Sequence, residues 1–284
     1  MSEDNLMIDG AAGKLAVRVK RPTTPRGTVV LVQGANMSGQ LGYDLQVDGH
    51  PDYSFMDALV ARGYAAVTFS IRGYYLSELT GDPHDVQTES AIEDLGTVLD
   101  WLAAQGTPRP HVLGWSWGGR ITARLVATAP ERIDRLVLFD PALGGGQIVP
   151  FPGKEKWWQN GYDYFYNRLS ADYTEEGVRV AVATQASTRE LNAPNGIRVE
   201  NENGSVAADP AGISRPTLML YGEAAGANAY MHGAAVPSAF FDAIPNTDKA
   251  LAIVPGGCDY IHLQRPRRRV HRIVADFLDL GEIA

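Results

Sequence analysis

The sequence predicts an α/β fold: a mostly parallel sheet with helices on both faces and an inserted, mainly helical cap. Three observations carry this. A continuously apolar run at 28–32, and runs at 64–69 and, between charged ends, at 135–140, have the length of strands buried on both faces. Stretches of helical spacing at 54–62, 87–104 and 120–128 alternate with them. Between about 143 and 213 the alternation stops, and aromatic residues gather at Trp157, Trp158, Tyr162, Tyr164, Phe165 and Tyr166. The expected layout is a core in two parts, 1–142 and 214–284, with a cap at 143–213 between them.

Residues 15–19 alternate like an edge strand, and the segment before them can pair with it as a hairpin. The strand 28–32 ends at Gly34, the helix 54–62 closes at Gly63, and the strand 64–69 runs into Arg72-Gly73. Within 87–104, Ile92, Leu95, Val98, Leu99 and Leu102 share one side of a helix. A short strand at His111-Val112-Leu113 precedes the helix 120–128. Strands at 135–140, 216–222 and 249–254 follow, and an amphipathic helix at 266–280 closes the chain. Gly34, Ser116, Asp140, Gly222 and the Gly256-Gly257 loop all fall at carboxyl ends of strands, where parallel sheets carry their chemistry.

The 284 residues suffice for one large core with an insertion. A net charge of -8 argues against nucleic acid and anionic membrane surfaces as partners. The basic cluster from Arg265 to Arg272 reads as a solvated helix face. The acidic start Met1-Ser2-Glu3-Asp4 lacks the apolar stretch of a signal peptide, and no apolar run spans a bilayer. One cysteine, Cys258, rules out an intrachain disulfide. The expectation is a cytoplasmic protein with a small-molecule ligand. Neither a metal-ligand set nor a phosphate loop stands out, and Gly144-Gly145-Gly146 reads as a hinge.

Gly114-Trp115-Ser116-Trp117-Gly118 lies between a strand and a helix. A serine on such a turn is held in a strained backbone, with its hydroxyl clear of the strand tip and above a helix N-terminus. Small flanking residues let the neighbouring chain pass close by. That context makes Ser116 a candidate nucleophile.

With its elements in this order, the chain resembles the α/β-hydrolase superfamily over nearly its whole length. The likeness rests on the Gly114 to Gly118 elbow, on Leu31-Val32-Gln33-Gly34-Ala35 and on Phe69-Ser70-Ile71-Arg72-Gly73-Tyr74. Leu136 to Pro141 and Leu218 to Glu223 support it. Capped esterases, proline iminopeptidase-like enzymes and haloalkane dehalogenase-like proteins are the more similar branches. The resemblance implies an oxyanion hole from the backbone N–H groups of Trp117 and Ala35, or of Asn36, whose side-chain amide is a further candidate donor. With no metal or phosphate-loop motif in the sequence, no cofactor is expected.

The resemblance also sets expectations that this chain departs from. The family's acid commonly lies three residues beyond the glycine that is Gly222 here, and that position is Ala225. Asp140 is the preferred substitute, with Glu223 the other. The family's histidine commonly lies seven residues before the proline that is Pro266 here, and that position is Asp259. His262, three residues later, is the expected base, brought over Ser116 by a rearranged loop. His50, His84, His111, His232 and His271 are poorer candidates. Asp259 orients His262, acts itself as a weak base, or caps the last helix. Cys258 reads as a small buried residue.

The cap aromatics Trp157, Trp158, Tyr162 and Phe165, with Trp115 beside the serine, point to an apolar or aromatic ligand. The first function hypothesis is a serine hydrolase acting on an ester, lactone, thioester or amide carbonyl through a Ser116 acyl-enzyme. A non-hydrolytic cyclase, lyase or acyl-rearranging enzyme, or a catalytically inactive ligand-binding relative, are the alternatives.

Overall fold

The computed structural model describes residues 1–144, 148–205, 208–225 and 237–280. In chain order the strands are β1 (Ser2–Gly10), β2 (Gly13–Arg21), β3 (Gly27–Val32), β4 (Tyr64–Phe69), β5 (His111–Trp115), β6 (Leu136–Phe139), β7 (Trp157–Gln159), β8 (Asn192–Pro194), β9 (Thr217–Gly222) and β10 (Lys249–Val254). The helices are α1 (Gly39–Tyr43), α2 (Phe55–Ala61), α3 (Thr88–Ala104), α4 (Trp117–Thr128), α5 (Tyr162–Arg168), α6 (Glu176–Arg189), α7 (Gly196–Glu202), α8 (Pro237–Ala243) and α9 (Arg267–Asp279).

The main sheet has eight strands in the order β1-β2-β4-β3-β5-β6-β9-β10. From β4 to β10 every neighbouring pair is parallel, while β2 runs antiparallel to both β1 and β4. The hairpin expected at the N-terminus is present, but its edge is β1. β2 is an inner strand, paired on both sides.

Alternation along each strand sorts the core into two layers. Val30, Val32, Val67 and Phe69 face one layer with Leu95, Val98, Ile121 and Leu125 of α3 and α4. Val29, Leu31, Ala66, Leu113, Trp115 and Phe139 face the other, where α2 and α9 bring Phe55, Met56, Val270 and Val274. Both sides of the sheet are therefore dry, which is why its inner strands read as unbroken apolar runs.

The segment between β6 and β9 carries α5, α6, α7 and the small antiparallel ribbon of β7 and β8. It docks through Phe165, Leu169, Val178 and Val182, which join the second core layer. The hinge expected at Gly144-Gly145-Gly146 lies mostly outside the described residues.

Candidate active site

The serine stands on a strained turn. Ser116 has φ 54° and ψ -116° and caps α4. Its backbone N–H donates to the Phe139 carbonyl at 3.0 Å and its carbonyl accepts from Ala142 at 2.8 Å, so the strain is held from β6. The flanking glycines are required by contact. A Cβ on Gly114 would lie 2.2 Å from the Gly118 carbonyl oxygen, and one on Gly118 would lie 2.3 Å from that of Val32.

Ser116 opens into a cavity of about 760 Å³ between the carboxyl ends of the strands and the inserted segment. Ala35, Asn36 and Trp117 line it as well, so the three residues expected to form the oxyanion hole share one space with the serine. Trp117 is the first residue of α4, and a first-turn amide has no partner within its own helix. The Ala35 loop is fixed from behind, its carbonyl accepting from the Tyr74 hydroxyl at 2.7 Å. The Asn36 amide is engaged elsewhere: its Nδ2 donates to the hydroxyls of Tyr164, at 3.1 Å, and Tyr260.

The structure does not bring His262 to the serine. It sits on a buried turn of 3₁₀ helix, Ile261–Leu263, in the core layer of α2 and α9. Its ring packs on Trp115 at 4.7 Å, Phe139 at 5.0 Å and Tyr43 at 5.7 Å. Trp115 faces the cavity on one side and His262 on the other, and so separates them. Neither ring nitrogen has a hydrogen-bond partner among the described residues. Burial pushes its pKa down to about 3, with His271 adding to the fall, so the ring is neutral. The other described histidines are elsewhere. His271 is stacked on Phe55 at 4.6 Å, His111 faces Asp134, His84 bonds the Glu155 carbonyl and His50 meets Tyr53 edge-on. His232 lies outside the described residues.

Asp140 is likewise fully buried and absent from the cavity wall. It follows β6 at φ 39°, and its Oδ1 accepts from the Gly222 N–H at 3.0 Å. Its other oxygen is buried without a partner. Burial, and then the charge of Asp259, raise its pKa well above the usual carboxylate value, while the Gly222 N–H opposes the shift, so the site favours its neutral form. No hydrogen bond links it to His262. Glu223 is exposed and accepts from the Gly256 N–H at 3.3 Å.

Asp259 and Glu155 are the carboxylates that line the cavity with Ser116. Asp259 accepts from the Trp115 indole at 2.7 Å through its backbone carbonyl, tying the loop after β10 to β5. Its Oδ2 accepts from the Arg168 guanidinium at 3.0 Å. Arg168 ends α5 and also lies over the Tyr260 ring, 5.6 Å from its centre. Cys258, the residue before Asp259, is half-buried rather than buried as expected; burial, and then the charge of Asp259, push its thiol up to about 11, and its sulfur accepts from Gln264.

The aromatic residues named from sequence divide by placement. Trp115 and Trp158 line the cavity. Phe165 is buried in the second core layer, while Trp157 and Tyr162 are partly exposed and outside the cavity wall. An amphipathic helix explains the split, since Tyr164 and Arg168, four residues apart on α5, both face the cavity. Arg120, one turn beyond Ser116, lines it too, as does Arg198 of α7. Helical spacing from Ser116 was a usable signal for Arg120. There was none for Arg198, because 192–203 reads as a polar loop.

The chain belongs to the alpha/beta hydrolase fold family, whose signature matches residues 27–266. Among curated proteins, it is 28% identical over 106 residues to the N-formylmaleamate deformylase of Pseudomonas putida, covering 37% of this chain and 38% of that one. It is 30% identical over 152 residues to a 2-hydroxy-6-oxononadienedioate/2-hydroxy-6-oxononatrienedioate hydrolase of Burkholderia vietnamiensis, covering 52% of this chain and 47% of that one. Its alignments therefore span between about a third and a half of these relatives. The bromoperoxidase of Bacillus anthracis shares the fold at a TM-score of 0.71 and 17% identity, over 97% of this chain and 100% of that one. Among the described residues no helix is long and apolar enough to cross a membrane.

Proposed function

We propose that the protein is a serine hydrolase acting on an ester-type carbonyl of a small molecule with an apolar or aromatic body. The observation that carries this is Ser116 on a strained elbow, opening into an aromatic-lined cavity beside Ala35 and the first amide of α4. Ser116 Oγ attacks the carbonyl carbon, and the N–H groups of Trp117 and Ala35 hold the oxyanion. Asp259 takes the serine proton and returns it to the leaving group. Water then releases the acyl group by the same route. The hydrolase names of the matched relatives support the reaction class.

A carboxylate is a weaker general base than imidazole, so this site suits acyl groups with good leaving groups. The same feature, an Asp259–Arg168 pair where the family pattern expects histidine, favours a second reading: proton transfer on the substrate without an acyl-enzyme. Labelling separates the two. A fluorophosphonate is expected to modify wild-type protein at Ser116, and Ser116→Ala to lower turnover of a p-nitrophenyl ester by at least about 10³-fold. Undiminished turnover by Ser116→Ala, with no label on the wild type, rejects the acyl-enzyme.

A further inference from the structure

Two phenols line the cavity that holds Ser116: Tyr164 of α5, and Tyr260, which directly follows Asp259. One side-chain amide fixes both. Asn36 Nδ2 donates to the Tyr164 hydroxyl at 3.1 Å and to that of Tyr260. Arg168 Nε donates to the Tyr260 hydroxyl as well, at 3.4 Å. A hydroxyl carries one proton and two lone pairs. Both lone pairs of Tyr260 are thus taken, and its proton is what remains to be used. Tyr164 also accepts from Asn36, and among the described residues neither phenol donates to a protein acceptor. Burial raises the pKa of both, so both protons stay in place at neutral pH. The rings are held by their neighbours. Tyr164 meets Trp158 edge-on at 5.4 Å, and Tyr260 meets Trp115 edge-on at 5.1 Å. The loop of Asn36 is anchored in turn, its carbonyl accepting from Asn160 Nδ2 at 3.3 Å.

We infer that Tyr164 and Tyr260 form a two-donor subsite for a ketone oxygen of the substrate, separate from the carbonyl presented to Ser116. Held on the two N–H groups of one amide, the hydroxyls are close enough to share an acceptor, and a carbonyl oxygen has two lone pairs to offer them. Charge decides the class of acceptor. Arg168, the cation beside Tyr260, is paired with Asp259 at 3.0 Å, and Arg120 is paired with Glu200 at 3.2 Å. Glu155 adds a further carboxylate to the lining. An anionic group would therefore face cations already matched, whereas neutral phenol donors suit a neutral oxygen. The position sets the spacing. Asn36 adjoins Ala35 and Tyr260 adjoins Asp259, so the ketone lies within a few atoms of the scissile carbonyl, and the substrate is an oxo ester. This deepens the hydrolase reading by naming the substrate class and rests on it, but its test reads binding and not catalysis.

The test is titration calorimetry of the Ser116→Ala protein with ethyl benzoylacetate and ethyl 3-phenylpropanoate, which differ only in the ketone. The keto ester is expected to bind at least about tenfold tighter, the gain that two hydrogen bonds of modest net strength supply. Adding Tyr164→Phe and Tyr260→Phe together is expected to erase that preference, while the ester without the ketone keeps its affinity within about twofold. Tyr164→Phe alone leaves Tyr260 between Asn36 and Arg168, and is expected to narrow the preference by at least about threefold. Equal binding of the two esters, no measurable binding of the keto ester, a preference that survives without both hydroxyls, or an equal loss of both esters overturns the subsite. Failure of the acyl-enzyme would be read independently, from absent fluorophosphonate labelling of the wild type.

Discussion

Asp259→Asn is expected to lower kcat by about 10²- to 10⁴-fold, the range a positioned general base supplies, with little change in KM. The substitution is conservative where it matters for folding. The hydrogen bond from the Trp115 indole goes to the backbone carbonyl of residue 259 and survives. What is lost is the negative charge facing Arg168, whose side chain is 41% exposed, so the stability cost stays within about 1 kcal/mol. Fluorophosphonate labelling of Ser116 is expected to slow in parallel, because the same proton must leave the same hydroxyl. His262→Leu is the matched control. It replaces two unpartnered nitrogens in an apolar pocket by methyl groups, and activity is expected to stay within about twofold of wild type. The opposite pattern, an active Asp259→Asn and an inactive His262→Leu, would return the role of base to the histidine.

The sheet was legible because its strands are buried on both faces. Residues 64–69 read as a strand and form β4 with the same bounds, since nothing charged interrupts the run. The closing helix was equally plain: Val270, Val274, Phe277 and Leu278 keep helical spacing against a polar opposite face. Short elements were not legible. α1 has the sequence Gly-Gln-Leu-Gly-Tyr, which has no helical preference of its own, and it forms because Ser38 caps it and the second core layer buries it. α7 and β8 lie in the polar stretch 192–203, where tertiary contacts override composition. Gly196 packs directly on the Val86 backbone, where a Cβ would come within 2.1 Å.

At the site, the elbow was legible because its constraint is local. Gly114, Ser116 and Gly118 are adjacent in sequence, and each is dictated by backbone contacts. The acid and base were harder, because their roles depend on which face of a loop turns inward. Ungapped register placed Asp259, and that residue lines the same cavity as Ser116. The loop rearrangement expected for His262 meets a physical obstacle. It would have to leave a pocket closed by Trp115, Phe139 and Tyr43, in a layer whose apolar contacts hold the turn down. The arginines escaped notice because single charges on helices usually face solvent. Only the packing of α5 and α7 over the sheet turns Arg168 and Arg198 inward.

Glu190→Gln is expected to stabilise the protein at pH 8 and to remove part of its pH dependence. Glu190 ends α6 and is 1% exposed, and its carboxylate accepts from the Ser38 hydroxyl. Ser38 in turn caps α1, directly after the loop that carries Ala35 and Asn36. The contact thus fastens the inserted segment to the loop beside Ser116. Burial is the largest influence on this carboxyl and raises its pKa from 4.5 to about 7, the Ser38 hydrogen bonds opposing the shift. A group whose folded pKa is raised stabilises through its neutral form. That stabilisation is complete below pH 4.5 and is lost as pH rises through about 7. At about 1.4 kcal/mol per pH unit, the loss by pH 8 amounts to about 3 kcal/mol as an upper value. Glutamine keeps a carbonyl to accept from Ser38 and cannot ionise. Its variant is therefore expected to melt roughly 5–10 °C higher than wild type at pH 8 and to match it near pH 4.5. Melting curves of both proteins from pH 4.5 to 8 measure the difference, and parallel profiles would show that this carboxyl ionises in the folded protein as it does in the unfolded chain. The same variant keeps the loop fastened above neutral pH, so any activity that wild type loses between pH 7 and 8 through loosening of Ala35 is expected to be retained.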